Sequence, residues 1–137
     1  AYWEAGHLGQ SSCRQERCRE ECSMEGCIFC KIANHEIPVQ AVYEDDEIIA
    51  FPDINPAAPV HILFVPKRHI PGVLDVPPEN IGAVSRIWEV IPLIAVEKGI
   101  AEDGFRVVAN SGEAAGQSVP HLHFHLLGGR SLGWPPG

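Results

Sequence analysis

The run Val119-Pro120-His121-Leu122-His123-Phe124-His125-Leu126-Leu127 limits the architecture more than any other stretch, because its polarity alternates with a period of two. On a strand, successive side chains point to opposite faces. His121, His123 and His125 then share one face, while Leu122, Phe124 and Leu126 face a core. A helix would scatter the same histidines over more than one face, so the pattern selects a strand over residues 121–127.

The other elements are placed around that strand. Residues 41–44 and 48–53 read as strands about the polar turn Asp45-Asp46-Glu47, and residues 61–66 as an apolar central strand. Residues 105–110 supply a further strand, and residues 27–34 a short helical turn. One long helix is predicted over residues 78–98, opened by Pro77-Pro78 and stopped by Gly99. Its apolar stripe is Ile81, Val84, Ile87, Trp88, Ile91, Ile94 and Ala95. Pro92 removes the hydrogen bond to the Trp88 carbonyl and predicts a kink or break there. The fold class is therefore α+β: a mainly antiparallel sheet of about five strands with one long helix and a short N-terminal helix.

A length of 137 residues suits one domain. Residues 1–23 have few branched aliphatics and no hydrophobic period. They read as an N-terminal extension, disordered or introduced by cloning, with the functional domain spanning residues 24–137 from Met24. A short helix over residues 15–23 is the alternative for that segment.

Acids outnumber bases 18 to 10, for a net charge of −8, which argues against binding a nucleic acid polymer. Neither a membrane span nor a signal peptide is legible, so no membrane partner and a cytoplasmic location are expected. The spacing of the five cysteines does not suit a disulfide scaffold. Cys27-Ile28-Phe29-Cys30 is a Cys-x-x-Cys, a metal-binding or redox motif in a cytosolic chain.

Three histidines on one strand face, about 7 Å apart, are hard to explain as packing. They suit either a metal site or acid–base and nucleophilic chemistry on phosphate. Two imidazolium charges at that spacing repel by roughly 0.6 to 2.4 kcal/mol for effective dielectrics of about 80 to 20. An empty site therefore holds neutral rings, and the neutral ring is the nucleophile. One histidine can attack phosphorus while another stabilises its oxygens. The preceding loop, residues 110–118, offers N–H groups, an amide and a hydroxyl to an oxyanion.

These residues resemble the histidine triad superfamily, in its Hint branch. The similarity rests on Gly116-Gln117-Ser118-Val119, on His121-x-His123-x-His125-Leu126-Leu127-Gly128-Gly129-Arg130, and on the ending Trp134-Pro135-Pro136-Gly137. Ile28-Phe29-x-Lys31-Ile32, Glu36-Ile37-Pro38, Glu44-Asp45-Asp46, Ala50-Phe51-x-Asp53-Ile54 and His61-x-Leu63-x-Val65-Pro66-Lys67-x-His69-Ile70 extend it back to about residue 26. Pro120 and Gly133 depart from the usual pattern.

The resemblance implies a HIT-like fold, a homodimer, and purine nucleoside phosphoramidase activity, cleaving the P–N bond of adenosine 5′-phosphoramidate or AMP joined to an amine, with purine nucleotides (AMP, GMP or phosphoramidate derivatives) as the ligands. It makes His123 the nucleophile that forms a nucleotidyl-histidine intermediate. His125 then contacts the phosphate, His121 orients the strand, and His61 supports the site. Ser118 lies near the leaving nitrogen, and Asn110, Gly116 and Gln117 belong to the phosphate loop. Asp53 holds the ribose hydroxyls, and Ile28, Phe29, Ile32, Phe51, Ile54 and Leu63 form the base slot. The C-terminal tail reaches toward the partner's site. No cofactor is required for catalysis on this reading.

Two thiolates at this spacing can share one tetrahedral metal. By resemblance to bacterial family members with the same Cys-x-x-Cys, Cys27, Cys30, His69 and His121 are the candidate ligands of a structural zinc. Rival readings are a dinucleoside polyphosphate hydrolase or nucleotidyl transferase, a metallohydrolase with catalytic zinc on the histidines, and a nucleotide-binding module with little turnover.

Overall fold

The computed structural model describes residues 26–137. The extension over residues 1–23 and the expected start at Met24 lie outside the described residues. In chain order the elements are α1 (Ile28–Ala33), β1 (Tyr43–Glu44), β2 (Ile48–Pro52), β3 (Val60–Pro66), α2 (Ile81–Glu97), β4 (Phe105–Val108) and β5 (Phe124–Gly128), with short 3-10 turns between them. The five strands form one antiparallel sheet in the order β1-β2-β3-β5-β4.

Register assigns the two faces. Phe51 lies opposite Leu63, and Leu63 opposite His125, so these three share a face. Ala50, Phe64 and Phe124 share the other. On that second face Ile48, Ala50, Ile62, Phe64, Leu122, Phe124 and Leu126 meet Ile87, Val90, Ile91, Ile94 and Ala95 of α2. On the first, Ile49, Phe51, Leu63 and Val65 meet Cys27, Phe29, Cys30 and Ile32 of α1. Each face thus carries one helix, and the site lies on the α1 side.

Three expectations are corrected. The helical stripe is rotated: Val90 is buried, while Ile81 and Trp88 are each 51% exposed. Helix α2 also runs unbroken through Pro92. Pro92 is exposed, so water can satisfy the Trp88 carbonyl that it leaves without an intrahelical partner.

The third correction concerns the histidine strand, which starts at Phe124 and not at residue 121. Pro120 has no N–H to donate, the His121 N–H bonds Val119, and the Leu122 N–H bonds the Ile70 carbonyl. Leaving the ladder there lets the ring of His121 turn away from those of His123 and His125.

Candidate active site

Of four histidines on the α1 side, His61, His121 and His123 are held by backbone partners and His125 by His61, and those partners decide which ring nitrogen carries the proton. Nδ1 of His123 lies 2.7 Å from the His121 carbonyl. A carbonyl only accepts, so Nδ1–H donates and Nε2 keeps a bare lone pair. The edge of Phe29 packs against this ring at 5.0 Å and 77°, and His123 is buried.

His61 is fixed from the opposite direction. The Ala57 N–H donates to its Nδ1 at 2.9 Å, so in the neutral ring Nε2 holds the proton. That Nε2 lies 2.9 Å from Nδ1 of His125 and 3.4 Å from an Asp53 carboxylate oxygen. The shorter contact takes the proton, which makes His125 Nδ1 an acceptor and puts the His125 proton on Nε2. Nε2 of His125 is buried without a hydrogen-bond partner, a donor kept for a ligand. The pocket therefore offers one nucleophilic lone pair beside one N–H, on rings whose centres are 5.0 Å apart.

Burial pushes the pKa of His125 down to about 4, helped by the neighbouring His123 and His61 and opposed by Asp53. Burial likewise lowers His61, against the Asp53 carboxylate. Both are neutral near pH 7. As pH falls from about 6.5 to about 4, the unfolded chain gains protons that the folded pair refuses, so stability drops with acidification across that window. Thermal midpoints measured through this range should fall less steeply for His125→Gln than for the wild type. Parallel curves would mean that His125 is not held neutral.

His123 and His125 line a cleft of about 390 Å³ with Ile28, Phe29, Ile32, Phe51, Asp53, Ile54, Leu63 and Ser118. Ile37, Pro38, Val39 and Val119 also line it. Phe29, Ile32, Phe51 and Leu63 are buried, while Ile54 is 91% exposed at the rim. An apolar slot opening onto two imidazoles suits a flat base joined to a phosphate.

The loop residues sit differently. Gly116, left-handed at φ +85°, donates its N–H to the Glu113 carbonyl at 3.0 Å. Gln117 ties the loop together: its amide donates to the Pro71 and Val119 carbonyls and accepts the Gly112 N–H. These groups are spent on loop structure, and the structure places neither residue at the cleft. Asn110 lines a separate cleft with Arg106, Leu127 and Pro135. In the tail, Trp134 is 81% exposed and lies under the Arg106 guanidinium.

His121 belongs to a second cluster. Its Nε2–H donates to the Pro66 carbonyl at 2.8 Å, leaving the Nδ1 lone pair facing inward. Nδ1 lies 3.4 Å from Cys27 Sγ, 3.5 Å from Cys30 Sγ and 3.2 Å from His69 Nδ1, and Cys30 Sγ is 3.2 Å from His69 Nδ1. A tetrahedral zinc with S and N ligands at about 2.3 and 2.0 Å has edges of about 3.3 to 3.8 Å. The cluster fits that geometry, and all four residues are buried. Burial lowers the pKa of His121 to about 4, so it is neutral and ready to ligate. Cys27 also caps α1, accepting the Cys30 N–H.

Asp53, His61 and His125 converge within 4.8 Å as well. They make a poor metal site, because the Ala57 N–H on Nδ1 leaves a proton on the Nε2 that would have to ligate.

The HIT domain family matches residues 34–132, most of the described chain. The chain belongs to the HIT family. This HIT domain is 50% identical over 109 residues to the purine nucleoside phosphoramidase of Escherichia coli K12, covering 80% of this chain and 92% of that protein. It is 46% identical over 112 residues to a 14 kDa zinc-binding protein of Zea mays, covering 80% and 87%. The crystal structure of a HIT family hydrolase from Legionella pneumophila superposes with a TM-score of 0.79 at 46% identity, covering 82% and 100%. The expected family and α+β fold hold, and the zinc-binding relative agrees with the Cys–His cluster. Among the described residues, no helix is long and apolar enough to cross a membrane.

The sequence did not single out the backbone groups that set the tautomers: the Ala57 N–H and the His121 and Pro66 carbonyls. Main-chain atoms leave no residue-type signal to read.

Proposed function

We propose that this HIT family hydrolase cleaves the P–N bond of purine nucleoside 5′-phosphoramidates through a covalent nucleotidyl-His123 intermediate. The observation that carries the reading is the bare Nε2 lone pair of His123 beside the unpartnered Nε2–H of His125. In the first step His123 Nε2 attacks the α-phosphorus and the P–N bond to the amine breaks. The amine leaves with a proton taken from solvent and relayed through Ser118 at the cleft. His125 donates to a non-bridging oxygen as charge grows there. The His121 carbonyl stabilises the positive charge that develops on the attacking ring. In the second step water attacks phosphorus and gives up a proton to solvent, the P–N bond to His123 breaks to return the neutral ring, and the nucleoside monophosphate departs.

Asp53 is at the cleft to bind ribose hydroxyls, and the Phe29–Phe51 pair lines the base slot. A zinc on Cys27, Cys30, His69 and His121 would have no open position, so its part is structural. The same reading takes a second copy of the chain as partner. Its support is the position of β4 at the sheet edge and the exposure of Trp88, Leu93 and Val96 on α2.

Steady-state hydrolysis of adenosine 5′-phosphoramidate should proceed with a higher kcat/KM than hydrolysis of a diadenosine polyphosphate. The reverse order would favour a dinucleoside polyphosphate hydrolase, and no turnover of either a binding module.

A further inference from the structure

The Gly128-Gly129-Arg130 turn has no part in the chemistry above, yet its geometry leads to the active site. A Cβ on Gly128 would lie 2.7 Å from the Ile100 side chain. One on Gly129, whose φ is +91°, would lie 2.9 Å from Pro59. Gly129 therefore lets the chain after β5 close onto the loop at residues 53–59, while Gly128 lets the end of β5 close onto Ile100. Arg130 then reaches back across that loop. Its Nε and Nη2 both donate to the Ala57 carbonyl, at 3.1 and 2.9 Å, and its Nη1 donates to the Ser131 carbonyl at 2.9 Å. Ala57 is also the residue whose N–H donates to Nδ1 of His61. The loop contains Pro56 and Pro59 and has no regular structure to hold it.

We propose that Arg130 is a positioning residue: by gripping the Ala57 carbonyl it keeps the Ala57 N–H on Nδ1 of His61, which fixes the tautomers of His61 and His125. Without the clamp the loop can move and the Ala57 N–H can leave His61. The His61 proton is then free to shift between its two nitrogens, and His125 Nδ1 loses its assured donor. His125 would present Nε2 to the phosphate partly as a lone pair, which repels the oxygens it should bind. The kinetic part rests on the phosphoramidase reading; the tautomer part does not.

The test is Arg130→Met and Arg130→Ala in the full chain, neither of which has a side-chain donor, with Arg130→Lys as the conservative variant. Long-range proton–nitrogen NMR of the ligand-free protein reads the ring tautomers directly. Wild type should show His61 and His125 each protonated on Nε2 alone. R130M and R130A should show mixed tautomers at both, with kcat lowered about tenfold, the equivalent of one neutral hydrogen bond. KM should change less than kcat, and R130K, which keeps a donor for the Ala57 carbonyl, should restore the single tautomer. Unmixed tautomers in R130M and R130A would overturn the assignment, as would mixed tautomers with an unchanged kcat. Loss of fold in both would make Arg130 a structural residue and equally overturn it. If wild type turns over no phosphoramidate, the phosphoramidase reading fails while the spectra still decide the clamp.

Discussion

Replacing His123 with Asn should lower turnover of an AMP–amine substrate by roughly four orders of magnitude or more, the scale seen when a nucleophile is removed from a preorganised site. The fold and the nucleotide affinity change little. Asn can still donate to the His121 carbonyl, so the local backbone keeps its partner. The apolar lining of the cleft, Phe29, Ile32, Phe51 and Leu63, packs with Ile49 and Val65 in one buried cluster, and only Phe29 loses a ring contact with His123. The zinc cluster is also untouched, since it uses the ring of His121 and only the carbonyl of that residue faces His123. Stopped-flow and calorimetric titration separate the two quantities. A variant that binds AMP weakly but turns over normally would reverse the assignment of roles.

The second large effect is on stability. As purified, the protein should contain about one zinc per chain, and the Cys27→Ser/Cys30→Ser double variant none. The four ligands join α1 to the segment after β3 and to the residues just before β5, including a pair 94 positions apart in sequence. Linking such distant segments stabilises the folded state by the metal's binding free energy. That is about 4 kcal/mol when zinc is a thousandfold above its Kd, or roughly 15 °C in the thermal midpoint of a domain of this size. Activity per folded molecule should fall far less, because the His61 and His125 tautomers are set elsewhere. Wild type free of metal would end the zinc reading. A double variant with an unchanged midpoint would end its structural role.

Much of the fold was legible because alternation and helical spacing report burial directly. Leu122, Phe124 and Leu126 are core as the alternation required. The histidine strand was overextended because period two survives in side-chain direction after the ladder has ended. Only the hydrogen bonds of His121 and Leu122 reveal where it stops. Trp88 joined the predicted stripe by spacing, yet it lies at the stripe's edge, touching Phe124 with one side and solvent with the other.

The cleft residues were readable through the family resemblance, and eight of the sequence-derived nucleotide contacts line it: Ile28, Phe29, Ile32, Phe51, Asp53, Ile54, Leu63 and Ser118. Gly116 and Gln117 were placed at the phosphate because glycine, amide and hydroxyl groups suit an oxyanion. Gly116 instead bonds within the loop and Gln117 ties the loop to Val119 and Pro71, a choice that composition does not encode. Periodicity also grouped His121 with the other two histidines. Which neighbours its ring meets depends on His69, 52 positions away, and on α1.

Acid quenching during the first turnovers of AMP–amine labelled on the α-phosphate, followed by peptide mapping, tests the covalent step most directly. The predicted result is label on one peptide, at His123, absent in the Asn variant. Complete hydrolysis with no protein-bound label at any time, together with near-normal turnover by that variant, would contradict it.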